Sequence, residues 1–188
     1  MSLLSNLGAA ALFFFVADLV YTLDHYFVHH DRDRYRKGHA RHHRRYNASP
    51  TGVHLDDYEL TTYSSAALVS IAGMTALALI VGNWGLLAGA ILKYIHSLVF
   101  HCYQHKWWSK TPVRKQGMEP PKPGWGIASA RYHAHHHAHP DDKVFTYTET
   151  WQGFDRILEW AHPWLVRFTK DGARRTSREW DLVEAGGE

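Results

Sequence analysis

Sixteen histidines stand among the 188 residues. Imidazole titrates near neutral pH and is the commonest metal-binding side chain, so the spacing of these residues bears on chemistry. Most fall into four groups. His25 and His29 are an i, i+4 pair, as are His101 and His105. His39, His42 and His43 form an HxxHH triplet, and His133, His136 and His137 form another. Positions i, i+3 and i+4 lie on one side of a helix, so four short helical faces would present these ten imidazoles. One metal takes about four to six ligands, and ten nitrogens therefore point to two metals. An i, i+4 pair arises easily in so histidine-rich a chain; two HxxHH triplets do not. The run HAHHHAH at 133–139 is internal and irregular, unlike a tag, and His135 and His139 in it suit a solvated flank. His30, His96 and His135 fall off the four faces. His54 and His162 stand apart, and His54 remains a further ligand candidate. Neutral imidazoles accept iron, zinc, copper and nickel alike, so the residues alone do not name the metal.

The rest of the composition narrows the class. One cysteine, Cys102, excludes an intrachain disulfide and a thiolate cluster. A net charge of +3 gives no reason to expect nucleic acid as a partner.

The elements that must position the histidines alternate between apolar and polar blocks. Residues 3–23 carry a single charge, Asp18. A helix of that length spans about 31 Å, close to a bilayer core. No basic segment precedes it and no small-residue cleavage site follows, so a retained membrane helix is predicted rather than a signal peptide. A second apolar block covers 61–100, with a turn at Asn83, Trp84 and Gly85 that divides it into two arms, 61–82 and 85–100. The second arm is short and contains Lys93. The mean hydropathy of the chain is nonetheless negative, because the polar segments 30–59 and 102–188 outweigh the apolar ones. Lysine and arginine are absent from 1–31 and from 46–92. Seven lie between Arg32 and Arg45, and beyond Lys93 the rest follow residue 105. Three alternating spans would put both basic segments on one side, which the positive-inside rule makes cytoplasmic. All four histidine groups fall on that side.

At this point a resemblance can be stated. HYFVH at 25–29, with Asp18 seven residues before His25; HARHH at 39–43, followed by RRYNASP; and HAHHH at 133–137, followed by TWQGFDRIL, are together similar to the histidine boxes of the fatty acid hydroxylase superfamily. That superfamily of membrane di-iron proteins includes sterol desaturases, C4-methylsterol oxidases, fatty acid 2-hydroxylases and carotenoid hydroxylases. The resemblance covers roughly residues 15–160. Tyr26 stands where the family pattern has an arginine. The remaining box has two readings. HCYQH (His101, His105) resembles the 2-hydroxylases, while HSLVFH (His96, His101) resembles the carotenoid hydroxylases, which are also nearer this chain in size.

The resemblance implies an all-α integral membrane bundle of three to four helices, the fourth half-inserted near 151–164, with a cytoplasmic histidine-rich cap. One domain over 1–169 is predicted, and the polar, glycine-containing composition of 170–188 predicts a flexible tail; the resemblance adds the chemistry. It implies an O2-dependent oxidoreductase that hydroxylates or desaturates a fatty acyl, sterol or carotenoid lipid. The cofactor would be two iron ions, with zinc as a substitute. The ligands would be His25, His29, His39, His42, His43, His101, His105, His133, His136 and His137, with His54 and His96 as further candidates. Electrons would come from a cytoplasmic cytochrome b5, ferredoxin or reductase, and the membrane would be a bacterial inner membrane or the endoplasmic reticulum. The alternative is a membrane metal-binding or transport protein, although transport needs polar ligands within the spans and these cluster at one end. A catalytically inactive family member would be expected to lack ligands, and the boxes lack none.

Two expectations concern supporting groups. Metal-bound imidazoles usually give their second N–H to a carboxylate or carbonyl; Asp24, Asp57, Asp141, Asp142 and Asp155 are the acidic candidates. Asp18 lies about 10 Å deeper than His25, and Lys93 about 12 Å deeper than His101. Unpaired in a membrane, each charge would cost a few kcal/mol or more, so the two are predicted to pair and to floor the cavity beneath the metals.

Overall fold

The computed structural model describes residues 2–31, 35–48, 68, 71–108, 123–138 and 145–169, apart from the side chains of 37–38, 45–48, 102, 105–108 and 138. The regular elements among these residues are helical. They are α1 (Leu3–His29), a π-helical turn (Tyr35–His39) that leads into α2 (Ala40–Ala48), α3 (Ile71–Val81), α4 (Gly85–Trp108), α5 (Ala130–Ala138) and α6 (Gly153–Leu165). A short 3-10 turn, Val166–Phe168, follows α6. The expected all-α class holds for them, with one isolated antiparallel bridge between Ile127 and Trp151. The expected tail at 170–188 lies outside the described residues. The chain forms two compact units, Met1–Val20 with Leu55–His101 and Tyr21–His54 with Cys102–Glu188.

In the first unit, α1 is the described helix long and apolar enough to cross a membrane. Leu, Ala and Phe dominate it and no proline interrupts it. Its length is about 40 Å at about 1.5 Å per residue, more than a hydrocarbon core requires. Leu4, Leu12 and Val20 are exposed along it, which lipid accommodates and water does not. The helix runs past the expected end at residue 23 to His29, so its last turns carry the first histidine pair.

The other two expected spans come out as shorter apolar stretches, Ile71–Val81 and Gly85–His101. Much of 61–70 lies outside the described residues. α4 continues as helix to Trp108, but beyond His101 its sequence turns polar with Gln104, His105 and Lys106. The expected turn is present: Gly82 has φ +68°, a left-handed conformation that glycine adopts without a Cβ penalty. The Gly85 N–H then donates to Asn83 Oδ1 at 2.9 Å and to Asn6 Oδ1 at 3.1 Å. A Cβ at Gly85 or Gly89 would collide with the backbone of Asn6 or Ala10. Small residues four apart thus let α4 lie directly on α1, the usual solution where apolar burial cannot drive helix association.

The predicted charge pair forms. Lys93 Nζ is 2.9 Å from Asp18 Oδ1, and both side chains are buried. Removing one partner strands the other charge, which costs about 3–5 kcal/mol, whereas replacing both is far milder. Asp18→Asn should therefore lower the thermal midpoint in detergent well below that of Asp18→Asn/Lys93→Met. Equal midpoints would show that the two charges are energetically independent.

The second unit is held by a small aromatic core. Tyr26, Tyr147 and Leu158 are buried together, with Leu23, Phe27, Phe145 and Leu165 packed on them. α2 packs on α5. Backbone pairing fastens the segment before α6: Ala128 N–H donates to Thr150 O at 2.7 Å and Gln152 N–H to Gly126 O at 3.0 Å. α6 buries Gly153, Phe154, Asp155 and Leu158. Ile157, Trp160 and Trp164 are exposed on it, as is Phe168 in the 3-10 turn beyond.

Candidate metal centre

Three local pieces of the second unit bring histidines together. The last turns of α1 carry His25 and His29. The π-helical turn ends at His39 and runs straight into α2 with His42 and His43. α5 carries His133, His136 and His137. Seven of these form two groups whose nitrogens lie within 4.8 Å of one another: His25, His29, His39 and His136 in one, His42, His133 and His137 in the other. His43 lies against both. Its Nε2 is 3.1 Å from His39 Nε2, and its ring stacks on His137 with centroids 4.3 Å apart.

The triplets are therefore shared rather than kept whole. His136 joins the first group while His133 and His137 join the second. Positions i+3 and i+4 differ by about 100° around a helix, so one helix can serve two centres.

The nitrogens converge as ligands do. His39 Nε2 is 3.0 Å from His25 Nε2 and 3.1 Å from His43 Nε2. His137 Nε2 is 3.1 Å from both His42 Nε2 and His133 Nε2. A ring nitrogen offers one proton or one lone pair, so it cannot make a full hydrogen bond to two neighbours at once; a cation satisfies all three lone pairs. His25 Nδ1 donates to the Tyr147 carbonyl at 2.8 Å, which leaves the Nε2 lone pair facing the group. Among the described residues, neither ring nitrogen of the buried His136 has a hydrogen-bond partner. Such a ring is costly unless something else binds it. Burial, reinforced by the neighbouring imidazoles, holds His39, His43 and His136 well below the ordinary imidazole pKa, so they stay neutral and able to donate a lone pair. The donor set fits the soft-to-borderline divalent metals that nitrogen ligands favour.

The other expected residues lie as follows. His101 is buried on α4 within the first unit. His96, in the same unit, packs edge-on to Phe14 at 5.4 Å and stacks on Phe100 at 4.7 Å. His54 and the side chain of His105 lie outside the described residues, as do His139, Asp57, Asp141 and Asp142. His30 and His135, off the predicted faces, are both buried; His30 lies against the Tyr26 ring at 4.2 Å. Asp24 is exposed. The partner of His25 is a backbone carbonyl, which no side-chain pattern could reveal. Tyr26, which stands where the family pattern has an arginine, places its hydroxyl 2.7 Å from His162 Nδ1.

The lowered pKa values carry a sign. Below the ordinary imidazole value of 6.5, the unfolded chain takes up protons that the buried rings refuse. Stability therefore falls as the pH drops through that value. The metal-stripped protein should show a lower thermal midpoint at pH 5.5 than at pH 7.5, and a midpoint indifferent to pH across that interval would mean the rings are not buried as neutral bases.

The fatty acid hydroxylase family model matches residues 10–159, a stretch that contains all eight of these histidines. No curated protein and no solved structure matches the chain. The match takes in the three histidine segments in order, together with the first-unit helices and the TWQGFDRIL segment, and the chain belongs to the fatty acid hydroxylase family.

Proposed function

We propose that this protein is a membrane oxidoreductase that uses O2 to hydroxylate or desaturate a hydrophobic lipid of the fatty acyl, sterol or carotenoid kind. The observation that carries the reading is the pair of buried all-imidazole groups in a chain of this family. In this proposal two irons are held, one by His25, His29, His39 and His136, the other by His42, His133 and His137, with His43 between them. His101 with His105, and His54, supply further nitrogens. Iron, when bound, supplies the redox chemistry that lets O2 attack an unactivated C–H bond.

The chain's own residues do the rest. Neutral, buried imidazoles hold the metals without adding negative charge. Burial at 5% exposure or less for His25, His29, His42, His133, His136 and His137 keeps bulk water from the centre. Apolar α1, long enough to cross a membrane, suits a protein whose substrate is dissolved in lipid. The topology that suits this is the three-span arrangement of a single domain, with both basic segments on the cytoplasmic side, where a cytochrome b5, ferredoxin or reductase can deliver electrons. The exposed Ile157, Trp160 and Trp164 of α6 suit the headgroup region, where tryptophan is favoured. Zinc fits the same nitrogens and would stand in without redox activity.

The reading is tested on protein purified in detergent from iron-replete cells. Near two irons per chain are expected, falling in His136→Ala and in His42→Ala and unchanged in His96→Ala. Lipids of cells making the protein should contain a species that has gained one oxygen or lost two hydrogens. A metal-free chain, or metal indifferent to the first two substitutions, would overturn the proposal.

A further inference from the structure

Asp155 is fully buried in the first turn of α6. Its carboxylate takes several donors. Tyr147 N–H donates to Oδ1 at 2.9 Å. Thr148 N–H reaches both oxygens, at 3.2 Å to Oδ1 and 3.0 Å to Oδ2. The Tyr132 hydroxyl donates to Oδ2 at 2.8 Å, its proton shared with the Phe145 carbonyl at the same distance.

These donors lead in two directions. The Tyr147 carbonyl, fixed by the amides on either side of it, is the acceptor for His25 Nδ1–H at 2.8 Å. The Tyr147 ring lies against His25, His29 and His136, with centroids 5.7, 5.4 and 5.7 Å away. Tyr132 immediately precedes His133 on α5, the helix that also carries His136 and His137. One carboxylate thus grips the segment that orients a nitrogen of the first group and the helix that supplies all of the second group but His42.

We propose that Asp155 is the positioning residue of the dinuclear centre, setting the ring orientation of His25 through the Tyr147 carbonyl and the placement of α5 through Tyr132. The proposal rests on the reading of the two groups as metal sites. Carboxylates commonly orient metal-binding imidazoles; through Tyr147 and Tyr132 this one acts on two elements at once. Asparagine at this position retains one acceptor oxygen and turns an N–H toward amides that are themselves donors, so the Tyr147–Thr148 backbone must shift and His25 must shift with it.

The test uses the full chain in detergent, stripped with chelator and titrated with cobalt(II), whose visible ligand-field absorption reports ligand geometry. Wild type, Asp155→Asn, Tyr132→Phe and Leu158→Ala are compared. Leu158 belongs to the same buried cluster as Tyr147 and controls for a loss of stability alone. Asp155→Asn is expected to weaken cobalt binding about 10–100-fold, the range for lost outer-shell partners, and to change the absorption envelope. Tyr132→Phe should weaken one of the two binding steps. Leu158→Ala should lower the thermal midpoint and leave the absorption as in wild type. Wild-type affinity and spectrum in Asp155→Asn would overturn the proposal, as would an identical spectral change in Leu158→Ala. Should Asp155→Asn fail to fold, Tyr132→Phe decides, and unchanged binding there overturns the proposal. Wild type that takes up no cobalt would instead overturn the metal reading, and this proposal with it.

Discussion

Lone pairs buried face to face are the constraint on which the second unit depends. His39 Nε2 lies within 3.1 Å of the Nε2 atoms of His25 and His43, and His137 Nε2 lies 3.1 Å from those of His42 and His133. Water is excluded from most of these rings, and the protein's own donors cannot satisfy a nitrogen on which two others converge. A cation at its centre would satisfy such an arrangement. The local structure follows from that demand. α1 runs beyond its apolar stretch so that His25 and His29 emerge from the same helix. A π-helical turn, a form that recurs at functional sites, delivers His39 to the first group before α2 takes His42 to the second.

Polar groups elsewhere follow the same logic of pairing. Asp18 and Lys93 lie in largely apolar stretches of α1 and α4, and the two buried side chains pair with each other. A membrane helix tolerates a charge on such terms. Gly85 and Gly89 make the close approach of α4 to α1 sterically feasible. The ion pair and the glycine contacts are thus two parts of one helix–helix interface.

The segment 145–152 has no regular structure, and it is buried from Thr146 to Thr150. Its backbone polar groups must therefore be satisfied by specific partners. Pairing with 126–128 takes one end, and the Asp155 carboxylate takes the amides of Tyr147 and Thr148. That leaves the Tyr147 carbonyl as the acceptor for His25. An irregular stretch is thus held by specific hydrogen bonds, and it carries the carbonyl that orients the His25 ring.

Much of this was legible in the residues. The candidate ligand type, the i, i+3, i+4 spacing, the helical class and the turn at Asn83, Trp84 and Gly85 are local properties, exposed by helical periodicity and by turn-forming residues. The Asp18–Lys93 pair was legible because a membrane leaves a charge few alternatives. The partition of the histidines was not. HARHH and HAHHH look equivalent as strings, yet His39 and His136 go to one group and His42, His133 and His137 to the other, since a helix face has a direction only once its neighbours are placed. Five carboxylates were equal candidates for outer support. Asp155 is linked to His25 through the Tyr147 peptide, and a hydrogen bond between residues 122 positions apart depends on which surfaces meet and leaves no period in the chain.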